Sequence, residues 1–234
     1  MSVNNTLINS ARGVTQFDFN GVLVTIIGEL HDKEFICKSP NMSIFEYCET
    51  ITTNNTRFML EYHPESTQYD RIGSKVIRDF FLTGPNKVKS STVGIDIRSD
   101  FLTKSGQQKL YHSNGCKIDD FPTYTKKWLL SVIGHPTTPD LKKYVDLIDD
   151  KFKSVLCILD LKWAWSMVMD YKILFDISNP SNSNVKEFVI IVGNNHLLNL
   201  RNIMSSWKKC RKLLDISDGN LDNCILSSEL NYIK

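Results

Sequence analysis

Apolar residues gather along the chain in short unbroken runs, each closed by polar ones. "VTII" (24–27) and "FVIIV" (188–192) hold no charged position and do not alternate. Runs of that kind mark strands covered on both faces, as in a parallel sheet flanked by helices. An alternating segment, 14–19, precedes the first run, and Asn20-Gly21 separates the two. That dipeptide takes the positive backbone angles of a tight turn, so 14–19 and 22–28 are predicted to pair as an antiparallel hairpin. "TRFMLEYH" (56–63), "STVGIDIRS" (91–99) and "KEFVIIVG" (186–193) supply further strands, with a short last one at "CIL" (224–226).

Helical spacing fills the gaps. Ser39 before Pro40 reads as a cap and first position, followed by an apolar face of Ile44, Phe45 and Cys48. Tyr69, Ile72, Val76 and Phe80 share the next helical face. Residues 103–122 read as loop with a short helix. From Pro122 to about Ile177 the pattern is helical, broken at "GHPTTPD", where Thr138 and Pro139 look like a new start. A last helix is expected over about 197–209, with the lysines of "WKKCRK" on its solvated face near its C-terminal end. Strands and helices alternate in order. The expectation is therefore one α/β domain over 1–234. It has a mainly parallel central sheet flanked by helices, an N-terminal hairpin and a helical insertion at about 101–180.

Composition narrows this picture. The chain has 234 residues, 41% hydrophobic and 23% charged, with a net charge of +2. That suits a globular protein with a full core and gives no electrostatic case for nucleic acid. No basic start followed by an apolar core opens the sequence, and no run approaches the roughly 20 apolar residues of a membrane span. "VLCILDLKWAWSMVM" (155–169) carries Asp160 and Lys162 and reads as a buried helix, with Trp163 and Trp165 in packing roles. The six cysteines form no C-x-x-C pair and read as reduced thiols in an intracellular, cytoplasmic protein.

Four predicted strands end in dense polar clusters: "GELHD" (28–32), "EYHPES" (61–66), "DIRSD" (96–100) and "GNNH" (193–196). Ligands bind beyond the carboxyl ends of strands in open α/β sheets. As parallel neighbours, these strands would bring Glu29, His31, Glu61, His63, Asp96, Arg98 and His196 to one pocket. Imidazoles with carboxylates suit a transition metal that activates water, with a free carboxylate as general acid or base. Each cluster also has a structural reading. Glu29 or Asp32 would cap a helix, Asp96 and Arg98 would form an ion pair, and His63 beside Pro64 would be a hydrogen-bonded strand end. His112 and His135 lie in loop-like text.

"IIGELHD", "FMLEYHP", "GIDIRS" and "VIIVGNNHL", in that order, resemble motifs of one superfamily. It contains the TraB/PrgY proteins, the Tiki proteases, the erythromycin esterases and the ChaN-like haem-binding lipoproteins. The resemblance covers roughly residues 20–100 and 185–205 and implies an α/β core with an inserted helical region. Its Gly-x-x-His, Glu and late Gly-x-x-His marks fall on Gly28 to His31, Glu61, and Gly193 to His196. Asp96 and Arg98 are similar to the Asp-x-Arg of TraB-like members. The activities implied differ: metal-dependent proteolysis, lactone hydrolysis by histidine and glutamate, or haem binding.

The leading expectation is a metal-dependent peptidase or esterase acting on a small-molecule or peptide substrate, with neither nucleic acid nor membrane as partner. His31, Glu61 and His196 would hold Zn, Mn, Co or Fe. Glu29 would act as acid/base or orient an imidazole, and Arg98, held by Asp96, would stabilise developing negative charge. The alternatives are metal-independent esterase chemistry with a histidine base paired to Glu29 or Glu61, and haem or ligand binding without catalysis.

Overall fold

The computed structural model describes residues 6–31, 36–38, 41–64, 74–98, 121–154, 158–216 and 225–226. In chain order its elements are β1 (Leu7–Ile8), β2 (Ala11–Phe19), β3 (Val22–Glu29), β4 (Asn41–Met42), α1 (Ile44–Ile51), β5 (Thr56–Leu60), α2 (Lys75–Thr83), α3 (Asn86–Lys89) and β6 (Thr92–Gly94). Then come α4 (Phe121–Val132), α5 (Pro139–Lys153), α6 (Ile158–Ser178), β7 (Glu187–Gly193), α7 (Asn194–Ser206), β8 (Cys210–Asp215) and β9 (Ile225–Leu226). The chain divides into two compact units, residues 1–94 with 184–234, and residues 95–183.

The first unit is an α/β structure built on a six-stranded sheet of order β6-β5-β7-β3-β2-β8. β6, β5, β7 and β3 run parallel, while β2 and β8 add antiparallel strands at one side. The predicted hairpin is present: Asn20 and Gly21 turn the chain at φ 53° and 81°, and the Gly21 N–H donates to Asp18 Oδ1 at 2.7 Å. Both faces of β3, β5 and β7 are covered, which is why their sequences run apolar without alternation. Ile27, Phe58, Leu60, Val189 and Ile191 share a core with Phe45 of α1, Phe80 of α2 and Val88 of α3. The Phe45 and Phe80 rings stack with centroids 4.0 Å apart. α7 packs on β2 and β3 and buries Leu197, Leu200 and Met204.

Several local expectations need correcting. Ser43, not Ser39, caps α1, through a reciprocal box in which the Glu46 N–H donates to Ser43 Oγ (3.1 Å) and the Ser43 N–H to Glu46 Oε2 (2.6 Å). Ser39 and Pro40 lie outside the described residues, as do Tyr69 and Ile72. α2 starts at Lys75 behind a Ser74 cap. The strand expected over 91–99 stops at Gly94, where a Cβ would lie 2.6 Å from the Tyr62 carbonyl oxygen. α7 begins at Asn194 and ends at Ser206. The helix was expected to reach about 209; instead Trp207 is buried against Phe19, and Cys210–Asp215 is an edge strand on β2 that was not expected from the sequence. Cys37 is disulfide-bonded, whereas Cys48 and Cys210 form no disulfide, so the cysteines are not uniformly reduced. Disulfides answer to proximity in space, which irregular sequence spacing does not reveal.

The described residues of the second unit are mainly helical. Thr138 caps α5, accepting from the Leu141 N–H at 3.2 Å, and Pro139 occupies its first turn as predicted. α5 buries Leu141, Tyr144, Val145, Ile148 and Phe152 and packs against both α4 and α6. Trp165 is buried but Trp163, two positions away on α6, is half exposed, because i and i+2 face opposite sides of a helix. Among the described residues, no helix is long and apolar enough to cross a membrane.

Candidate functional site

Register sets the site. β3 and β7 pair in parallel with Glu29 opposite Gly193, and β5 lies on the other side of β7 with Leu60 opposite Ile191. Three neighbouring strands therefore end together, as open α/β sheets do at their ligand sites. Glu29 closes β3, His31 comes next in a turn, Glu61 lies one residue past β5, and His196 is the third residue of α7.

These four side chains meet. His31 Nδ1 lies 2.6 Å from Glu29 Oε1. Its other nitrogen, Nε2, lies 3.4 Å from Glu61 Oε2, and His196 Nε2 lies 3.6 Å from Glu61 Oε1. The Gly193 N–H donates to Glu61 Oε2 at 2.8 Å. That bond places a carboxylate at the open N-terminus of α7, which has no side-chain cap of its own and whose dipole favours negative charge there. Glu29, Glu61 and His196 have side chains 0%, 6% and 6% exposed, whereas His31 is 39% exposed. His31 is thus the member open to solvent. Its carbonyl accepts from the Lys75 N–H at 3.1 Å, tying the turn to the start of α2.

This geometry sets the electrostatics. The hydrogen bond to Glu29 and then that to Glu61 raise the His31 pKa to about 10, against the opposing effect of burial. The imidazole is therefore a cation at neutral pH. Glu29 Oε2 is buried without a hydrogen-bond partner among the described residues.

The two Gly-x-x-His motifs interlock. A Cβ on Gly193 would lie 2.8 Å from His31 Nε2, and a Cβ on Gly28 would lie 2.8 Å from Asn194 Oδ1. Each motif's glycine leaves room for a side chain of the other motif. In the sequence both glycines read as residues that permit a sharp turn out of the strand and close approach of backbone to a ligand, not as seats for the other motif's side chains. The same reading missed Asn194 and the Gly193 amide altogether; the one local signal was a glycine before a helix whose first residues offer no cap.

His63 lies two residues past Glu61, and Asp32 is outside the described residues. Asp96 and Arg98 belong to the second unit, where they pair with each other: Arg98 Nε donates to Asp96 Oδ1 (2.7 Å) and its terminal nitrogen to Oδ2 (2.8 Å).

For a metal, the donors fit in pairs. Ligands bonded to one Zn at about 2.0–2.2 Å stand roughly 3.2–3.6 Å apart. The 3.4 and 3.6 Å separations from Glu61 to the two imidazoles match that edge. Among the described residues, however, no group of three or more His, Cys, Asp or Glu is disposed to hold a metal ion. A cation would need these side chains to close around it.

No family model, curated protein or solved structure matches the chain.

Proposed function

We propose that the chain is a hydrolase of ester or amide bonds, worked by Glu29, His31, Glu61 and His196. The observation that carries this reading is the His31 ring held between Glu29 and Glu61 at the one solvent-open point of a buried polar cluster. Glu29 fixes the ring through Nδ1 and leaves Nε2–H toward Glu61 and the substrate side. Glu61 takes a proton from water as the water oxygen bonds to the carbonyl carbon and the carbonyl electrons move to oxygen. On collapse, the bond to the leaving oxygen or nitrogen breaks, and His31 Nε2 gives that atom its proton. The proton on Glu61 then returns to His31. The Glu61 carboxylate is one cause of the raised His31 pKa, so its protonation makes His31 a stronger acid when the leaving group needs a proton. His196 holds Glu61 from its other oxygen. These steps use no metal and no residue of the second unit.

A second reading is favoured by the donor spacing. His31, Glu61 and His196 would hold a divalent cation, with Glu29 orienting His31 through Nδ1. When bound, the cation would bring the pKa of water toward neutrality and polarise the scissile carbonyl.

Hydrolysis of p-nitrophenyl acetate and of a peptide p-nitroanilide by the purified protein, before and after chelation, tests both readings. Activity that survives chelator and disappears in Glu61→Gln supports the proton-relay reading. Activity lost to chelator and restored by Zn or Mn supports the second. Absence of hydrolysis with and without added metal overturns the assignment.

A further inference from the structure

We propose that Asn194 is a positioning residue that locks the two Gly-x-x-His motifs together and so holds Glu61 between the imidazoles. The proposal deepens the reading above, and only its consequence for turnover rests on that reading. Gly28 is a notch in β3: a Cβ there would meet Asn194 Oδ1 at 2.8 Å, Asn194 Cα at 3.2 Å and Leu197 Cβ at 3.2 Å. Asn194 is the first residue of α7, and the preceding residue, Gly193, holds Glu61 through its N–H. A side chain seated in the notch therefore fixes the helix start against β3. That in turn fixes the amide on which Glu61 rests.

Asn194 Oδ1 is buried with no hydrogen-bond partner among the described residues. The amide thus holds its place by shape rather than by a hydrogen bond to that oxygen. An unpaired buried acceptor is unfavourable for folding, so the residue type is not explained by stability. The lock is also reciprocal. Gly193 leaves the equivalent room for His31 Nε2, so the motif that receives Asn194 sends its own histidine back.

The test is a double-mutant cycle of Gly28→Ala and Asn194→Ala, read by the ring-nitrogen NMR signals of His31 and His196 and by p-nitrophenyl acetate turnover. Asn194→Ala should keep the fold, shift both imidazole signals and lower turnover about 10–100-fold, the range for partners that orient site residues. Gly28→Ala should do the same by expelling the Asn194 side chain. The double variant should be less affected than the sum of the single ones, because both substitutions remove the seating of the Asn194 amide in the notch, while the added Cβ still presses on the start of α7. Unmoved imidazole signals in Asn194→Ala would overturn the proposal, as would additive effects in the double variant. If Gly28→Ala does not fold, the signals of Asn194→Ala decide alone. Wild-type protein without ester hydrolysis would count against the hydrolase reading, and the imidazole signals would still test the lock.

Discussion

The ends of β3 and β7 carry the same Gly-x-x-His spacing on neighbouring, parallel strands, yet they deliver their histidines differently. After Gly28 the chain keeps one more strand residue, Glu29, and then turns, leaving His31 39% exposed with a carboxylate at each ring nitrogen. After Gly193 the chain goes straight into α7, and His196 is drawn under the helix, 6% exposed and 3.6 Å from Glu61. In the proposed hydrolysis, one motif thus supplies an open proton carrier and the other a buried brace. The shared glycine and histidine do not make that difference; the turn entered after Gly28 and the helix entered after Gly193 do.

Glu61 is shared by both ends, so its loss should cost most. Glu61→Gln is expected to lower ester turnover about 10³–10⁴-fold, toward the upper end for a general base, with little change in the circular dichroism of the folded chain. The histidines should then separate. His31→Ala should lose about 10²–10³-fold, and His196→Ala about 10–100-fold. Equal losses in steady-state assays would erase the distinction between carrier and brace. Gly193→Ala sharpens it further. The added Cβ would lie 2.8 Å from His31 Nε2 and 3.2 Å from its Cε1, so it should behave like a milder His31 variant, with activity lost and the melting temperature nearly kept. Gly21→Ala, in the β2–β3 turn at φ 81°, should do the reverse. It should cost roughly 1–2 kcal/mol in chemical denaturation and leave turnover alone.

Much of this end of the sheet was legible in sequence for a physical reason. Strands buried on both faces must be apolar throughout, so β3 and β7 announced themselves, and a polar cluster after a buried strand can only lie at its end. Asn20-Gly21 gave the hairpin because few other pairs accept its backbone angles. What escaped was set by contacts distant in sequence. "CRKLLD" forms β8 because β2 offers an edge, and nothing in its charges separates that strand from the polar face of a helix. Gly94, the last residue of β6, has no room for a Cβ because the Tyr62 backbone passes close by. The Gly28–Asn194 lock joins residues on different elements and leaves no local pattern. Glu29 was the ambiguous member of the cluster, as acid, cap or orienting group, and its 2.6 Å contact with His31 Nδ1 supports the orienting reading.

The last expected effect concerns pH, and it bears on the carrier alone. His31 has a folded pKa of about 10 against an ordinary 6.5, so the folded state binds its proton more tightly than the unfolded state. Its contribution to stability is therefore complete below pH 6.5 and is lost as pH rises through about 10. Urea midpoints of metal-free protein should fall across that window, and Glu29→Gln should flatten the fall, because the Glu29 hydrogen bond is the largest cause of the shift. Turnover should track the same limb, since the leaving group needs the protonated ring: activity held to near pH 10 and declining above it. A histidine acting as general base with an ordinary pKa would instead give activity rising through about 6.5. A divalent cation at Nε2 would displace that proton and abolish the alkaline limb of the urea titration. The same two curves, measured with and without Zn, thus separate an imidazole that carries a proton from one that carries a metal.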